Sequence, residues 1–225
     1  MDYHKGGDSP FYYSKDNGTT WKPYTYNTGW NTSTGWETTT KPKVSASIID
    51  FNPGDKIQFK AKQKVTTLSE QNYNSNCGRS DIYHPYITLK GNAYVSGNIQ
   101  YLLDPTGKET NVPEECFCML FRNSTRLMSA ENLRLPGTIL GKGCYERMFE
   151  NCTNLKKPPT KINATIMGVS ACQNMFKECT SLTKTPELLT TNLSADCYNN
   201  MFYNCTSLTE IPKFSAKIFG NKSCY

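Results

Sequence analysis

Ten cysteines and two histidines are the residues of this 225-residue chain best suited to nucleophilic or metal chemistry. A cysteine nucleophile needs a base at hand, and Cys77 in S-N-C-G-R-S-D has His84 seven residues on. No third residue marks itself to orient the imidazole, so Cys77 reads as a loop or core thiol. Zinc wants close cysteine pairs that meet further ligands, and Cys116-x-Cys118 is the one close pair. The expectation is therefore no catalytic residue, no metal and no cofactor. A disulfide framework is the remaining use of ten cysteines. Cys144 and Cys152 are eight residues apart, about 12 Å along a helix. Equivalent cysteines on packed helical layers would stand about 8–10 Å apart. A bridge needs Cα atoms within about 7 Å. On a helical reading the cysteines form a reduced core ladder of small hydrophobes.

A second stretch with chemical content is S-K-D-N-G-T-T-W, residues 14–21. It fits S-x-D-x-G-x-T-W, the Asp box carried on the blades of sialidases. Sialidase chemistry would also need several such boxes, an arginine cluster for the substrate carboxylate and a tyrosine nucleophile in a larger propeller. A single box reads as a hairpin turn: Asp16 accepts local N–H groups, Gly18 takes a positive φ and Trp21 packs beneath. Trp21, Trp30 and Trp36 are the only tryptophans, and with the neighbouring tyrosines they offer a sugar-stacking platform as an alternative site.

The elements that position these residues divide the chain. Every tryptophan precedes residue 37, and nine of the ten cysteines follow residue 115. The polar stretch D-P-T-G-K-E-T-N-V-P, residues 104–113, lies between. We expect a β-rich, sandwich-like module over 1–110 and a repeat array over 111–225. In the first part Ile57, Phe59 and Ala61 alternate with polar residues, the period of a half-buried strand. Asn52-Pro53-Gly54-Asp55 fits a type II turn, with residues 44–51 as the other arm of a hairpin.

In the second part C-F-C-M-L-F, C-Y-E-R-M-F, C-Q-N-M-F and C-Y-N-N-M-F place Phe121, Phe149, Phe176 and Phe202 at spacings of 28, 27 and 26 residues. Leu127, Leu155, Leu182 and Leu208 each follow six residues later. Pro159, Pro186 and Pro212 come four after that, and Glu131 takes the slot in the first repeat. A period near 27 is the mark of stacked units, each too small to bury its own apolar face. Four repeats and the start of a fifth fit in the chain. We expect one or two helical turns at C-Y-x-x-M-F and a short strand at S-L-T-x-x-P.

These motifs, C-Y-x-x-M-F-x-x-C-T-S-L and S-L-T-x-x-P-x-L, resemble the BspA-like leucine-rich repeats of bacterial surface proteins over roughly residues 111–225. The Asp-box stretch and V-S-G-N-I-Q-Y-L-L-D (95–104) are similar, more loosely, to the β-rich module preceding such repeats. The resemblance implies an α+β chain, a sandwich-like module followed by a solenoid with a strand and a short helix per repeat. It also implies secretion or surface display, an adhesive role and no catalytic residues.

Charge and hydropathy exclude other classes. A net charge of +6 with no run of five basic residues gives no electrostatic footprint for nucleic acid. No apolar run approaches bilayer length. The expected function is a secreted or cell-surface, non-enzymatic binding protein. Its contact residues would be Met128, Lys156, Lys157, Thr183, Lys184, Thr209 and Glu210 on the strand side of the repeats. Its partner is an extracellular protein or glycan, the glycan through Trp21, Trp30 and Trp36. Association end to end through the last repeat is a further possibility.

Overall fold

The computed structural model describes residues 11–24, 49–50, 52–61, 64, 87 and 89–224. Residues 44–48, Cys77, His84, Trp30 and Trp36 lie outside the described residues.

At the start of the chain β1 (Phe11–Ser14) pairs antiparallel with β2 (Lys22–Tyr24) and with β3 (Gln58–Ala61). The alternation around Phe59 does make a strand, with Ala61 buried. Its described partner is β1. The turn before it closes through Asp55 N–H to the Asn52 carbonyl at 3.0 Å, with Gly54 at φ 94°. That positive φ at the third position is what a type II turn requires.

From residue 93 onward the chain winds into stacked coils. Strand β4 (Ala93–Asn98) runs into a 3-10 turn at Ile99–Leu102. Strands β5 (Asn111–Val112), β7 (Ile139–Leu140), β9 (Ile166–Met167), β11 (Asn192–Leu193) and β12 (Ile218–Phe219) recur once per coil. They form parallel ladders β5-β7-β9 and β11-β12. A second parallel set comprises β4, β6 (Leu127–Arg134), β8 (Lys161–Ile162) and β10 (Glu187–Leu188). Single bridges Ser129–Lys157, Leu135–Ile162 and Leu188–Phe214 continue that set from coil to coil. Because β4 pairs with β6 and Ile87 N–H donates to the Leu120 carbonyl at 2.7 Å, the packing crosses the compositional boundary at 104–113.

The third side of each coil corrects the fold expected from sequence. The described residues contain no α-helix: apart from the one 3-10 turn they are strand, turn and coil, and the described repeats do not carry the helix expected of an α+β array. The C-Y-x-x-M-F segments are ribbons of consecutive tight turns. In the first coil Glu115, Phe117, Met119, Phe121 and Asn123 donate N–H to the next coil, to the carbonyls of Lys142, Cys144, Glu146, Met148 and Glu150 at 2.8–3.0 Å. The residues between them, Cys118, Leu120, Arg122 and Ser124, donate to the carbonyl three residues back. Half the N–H groups are satisfied within the ribbon and half by the neighbouring coil, whereas a helix would satisfy them internally. The pattern needs a left-handed residue every fourth position: Glu115, Met119 and Asn123, then Arg147 and Asn151, then Ser170, Asn174 and Glu178, then Asp196, Asn200 and Asn204. An α-helix cannot contain such a series. Asn tolerates positive φ better than most residues, which is why it recurs in the repeat.

The core is built from columns. Phe121, Phe149, Phe176 and Phe202 stack face to face with centroids 5.4, 5.3 and 5.6 Å apart, and Phe117 stacks on Tyr145 at 5.8 Å. Leu127, Leu155 and Leu182 are fully buried beside them. Coils approach so closely at one corner that a Cβ on Gly141, Gly168 or Gly220 would lie 2.5–2.6 Å from backbone atoms of the preceding coil. Ser194 stands at the remaining instance and donates its hydroxyl to the Met167 carbonyl.

The cysteines need a correction too. Layers joined by backbone hydrogen bonds stand about 4.8 Å apart, not the 8–10 Å of packed helices. Cys152, Cys179 and Cys205 are free thiols that donate to the carbonyls of Phe121, Phe149 and Phe176 at 3.0–3.1 Å. Ser124 makes the same move in the first coil, donating to the Ile87 carbonyl at 2.6 Å. Cys118, however, is disulfide-bonded. Cys118 is thus the exception to the reduced core ladder expected from sequence, whereas Cys144, Cys152, Cys172, Cys179, Cys197, Cys205 and Cys224 are free thiols.

Candidate functional site

The residue eight positions after each anchor Phe is Ser129, Lys157, Lys184 or Glu210, and the residue ten after it is Glu131, Pro159, Pro186 or Pro212. Stacking the coils brings these positions to one side, next to β8 and β10. All but Ser129 and Pro212 line a groove of about 260 Å³ there. Pro158, Pro159 and Pro186 are buried and form its floor. Proline suits that place, because its ring fills the space and it has no N–H to leave unpaired. Lys157, Lys184 and Glu210 come from successive coils, and Glu131, Glu187 and Lys213 complete the charged walls. The Lys157 ammonium donates to Glu131 Oε2 at 2.8 Å. Glu131 thus uses the one repeat that lacks the proline to place a carboxylate over the floor. Ile211, which also lines the groove, is 88% exposed.

Three carboxylates and three ammonium groups over an apolar floor can hold a partner carrying both charges and hydrophobic side chains. Each exposed ion pair adds little affinity alone, while a register of them fixes orientation.

Of the residues expected from sequence, Lys157, Lys184 and Glu210 line the groove. Lys156 and Thr183 are exposed and stacked just outside it: Lys156 N–H donates to the Met128 carbonyl and Thr183 N–H to that of Lys156, both at 3.1 Å. Met128 heads this column half-buried, and Thr209 is exposed in the fourth coil. Glu131, the prolines, Glu187, Ile211 and Lys213 were not singled out, although the Pro-or-Glu slot was visible in the repeat.

The Asp box is a turn. Asp16 Oδ1 accepts the Thr20 N–H at 2.8 Å, Oδ2 accepts the Thr20 hydroxyl, and Ser14 Oγ accepts the Gly18 N–H at 2.8 Å. The Thr20 hydroxyl is the main reason the Asp16 carboxyl is held down at about 2, with the Thr20 N–H and Ser14 adding to it. Gly18 has φ 83°, and a Cβ there would lie 3.3 Å from the Trp21 ring. The Lys60 ammonium sits 4.0 Å from the centroid of that ring. Trp21 thus supports the turn on which it lies, while Trp30 and Trp36 lie outside the described residues.

The cysteine nucleophile and base considered from sequence, Cys77 and His84, lie outside the described residues. Cys116-x-Cys118 is not a free thiolate pair, since Cys118 is disulfide-bonded. Among the described residues no group of three or more His, Cys, Asp or Glu is placed to hold a metal ion. Burial pushes the Cys152 thiol up to about 12 and that of Cys205 to about 11, far from a reactive thiolate. No helix among the described residues is long and apolar enough to cross a membrane.

No protein-family model, curated protein or solved structure matches the chain.

Proposed function

We propose that this chain is a non-enzymatic, secreted or surface-displayed binding protein that holds an extracellular protein partner in the proline-floored groove. The observation that carries the reading is the register of Lys157, Lys184 and Glu210, one from each of three stacked coils, above Pro159 and Pro186. Such a surface repeats with the coil and presents a rigid line of contacts, which is how stacked-repeat proteins bind extended partners. The resemblance of the repeats to those of bacterial surface proteins supports adhesion as the purpose.

The test is binding of the intact chain to immobilised extracellular-matrix proteins, compared with a Lys157→Glu, Lys184→Glu double variant. Both side chains are exposed, so the melting temperature should stay in place. Affinity should fall about tenfold or more, equivalent to roughly 1.4 kcal/mol. Unchanged affinity at an unchanged melting temperature would sink the groove as the contact surface.

A further inference from the structure

The thiol chemistry of the coils that carry Cys197 and Cys224 is separate from the groove. Cys224 is an exposed free thiol, and Cys197 in the coil before it is a fully buried one. The backbone on either side of Cys197 is tied to the segment that carries Cys224. Asp196 N–H donates to the Asn221 carbonyl and Tyr198 N–H to the Ser223 carbonyl, both at 2.9 Å. In the register of the ribbon Cys224 therefore stands opposite Tyr198, one residue along from Cys197. One coil spacing of about 4.8 Å and an offset of at most one Cα–Cα step, about 3.8 Å, give a diagonal of no more than roughly 6 Å. Disulfides span Cα separations of about 4.4–6.8 Å. Cys172, in the third coil, is the other thiol beside Cys197, and it is fully buried.

We propose that Cys197 and Cys224 form an oxidisable pair, and that a low-molecular-weight disulfide such as glutathione disulfide converts them to a bridge that staples the segment carrying Cys224 to the fourth coil. The chain already holds one disulfide at Cys118, so thiol oxidation is compatible with its folded state. Exposure makes Cys224 the entry point. Its thiolate attacks one sulfur of glutathione disulfide, whose S–S bond breaks, and one glutathione leaves as a thiolate and takes up a proton. The Cys197 thiolate then attacks the Cys224 sulfur of the mixed disulfide and releases the second glutathione. Two electrons and two protons pass from the protein to the two glutathione molecules. Burial pushes the Cys197 thiol up to about 12, with Cys224 adding to the effect, and burial raises the Cys224 thiol as well, so both steps quicken as pH rises.

The experiment incubates the native 225-residue chain with glutathione disulfide, quenches it by alkylation and reads the intact mass, then maps the non-reduced tryptic peptides. Support is the loss of two hydrogens, with Cys224 linked to Cys197 and reversal by dithiothreitol. Fragmentation distinguishes Cys197 from Cys205, which shares its tryptic peptide. In a Cys197→Ser variant the glutathione adduct on Cys224 should persist. Cys224→Ser, at an exposed position, should abolish both adduct and bridge without affecting the fold. A stable adduct on Cys224 of the parent chain, a link between Cys172 and Cys197, or no reaction at all would each overturn the proposal.

Discussion

Glu146 is a carboxyl placed where burial works against its charge. It is 8% exposed between the stacked ribbons, with Glu115 and Glu150 close by and Arg147 Nε 3.4 Å from its Oε1. Desolvation outweighs the arginine and lifts the Glu146 carboxyl to about 7. A folded-state value above the unfolded one means that the fold favours the protonated form. The resulting stability is present below the ordinary value near 4.5 and is lost as pH rises toward 7. Glu146→Gln should therefore match the parent near pH 4 and be more stable above pH 7, by on the order of 1–3 kcal/mol. Thermal melts across that range check it; a variant less stable than the parent at pH 8 would show that the ion pair outweighs desolvation. Asp16 has the opposite sign. Its carboxyl is held at about 2 by Thr20 and Ser14, so its contribution is present above the ordinary value near 3.8 and lost as pH falls toward 2. Asp16→Asn should remove that acid-side dependence and loosen the hairpin, read as faster exchange of the Thr20 amide.

At the scale of the element, the turn ribbon and its corner decide how coils stack. Gly168 has no positive φ, so backbone freedom is not why it is glycine. A Cβ there would stand 2.6 Å from the Lys142 N and 2.7 Å from the Gly141 carbonyl carbon, both backbone atoms that cannot step aside. Gly168→Ala should force the coils apart and cost about 1–3 kcal/mol. Gly91→Ala, where a Cβ meets nothing within 4 Å, is the control. Equal melting temperatures for the two variants would mean that the corner is looser than its geometry. The ribbon also explains why the helix expected at each C-Y-x-x-M-F was wrong. The contrary signal was Asn, at 123, 151, 174, 200 and 204, each of which adopts a left-handed conformation. Propensity read from one segment cannot show that half its N–H groups will be satisfied 27 residues away.

Over the whole molecule, stability should grade along the stack. Phe149 is sandwiched between Phe121 and Phe176 and is fully buried. Phe149→Ala should cost about 3–5 kcal/mol, the range for a large core aromatic. Phe202 has a stacked partner on one side among the described residues and is half-buried, so Phe202→Ala should cost roughly half as much. Urea melts of the two variants compare them, and equal losses would contradict a graded core. The period of the repeat, its Phe and Leu columns, the proline slot and the type II turn before β3 were all legible in the amino-acid order, because each depends on residue type and spacing alone. The Asp-box hairpin was legible for the same reason, since its hydrogen bonds are local. The helix-free ribbon, the layer spacing that lets each column thiol reach a carbonyl of the neighbouring coil, and the meeting of Lys157, Lys184 and Glu210 over a proline floor were decided by tertiary structure. Each depends on hydrogen bonds between coils, and their partners lie a full repeat away along the chain.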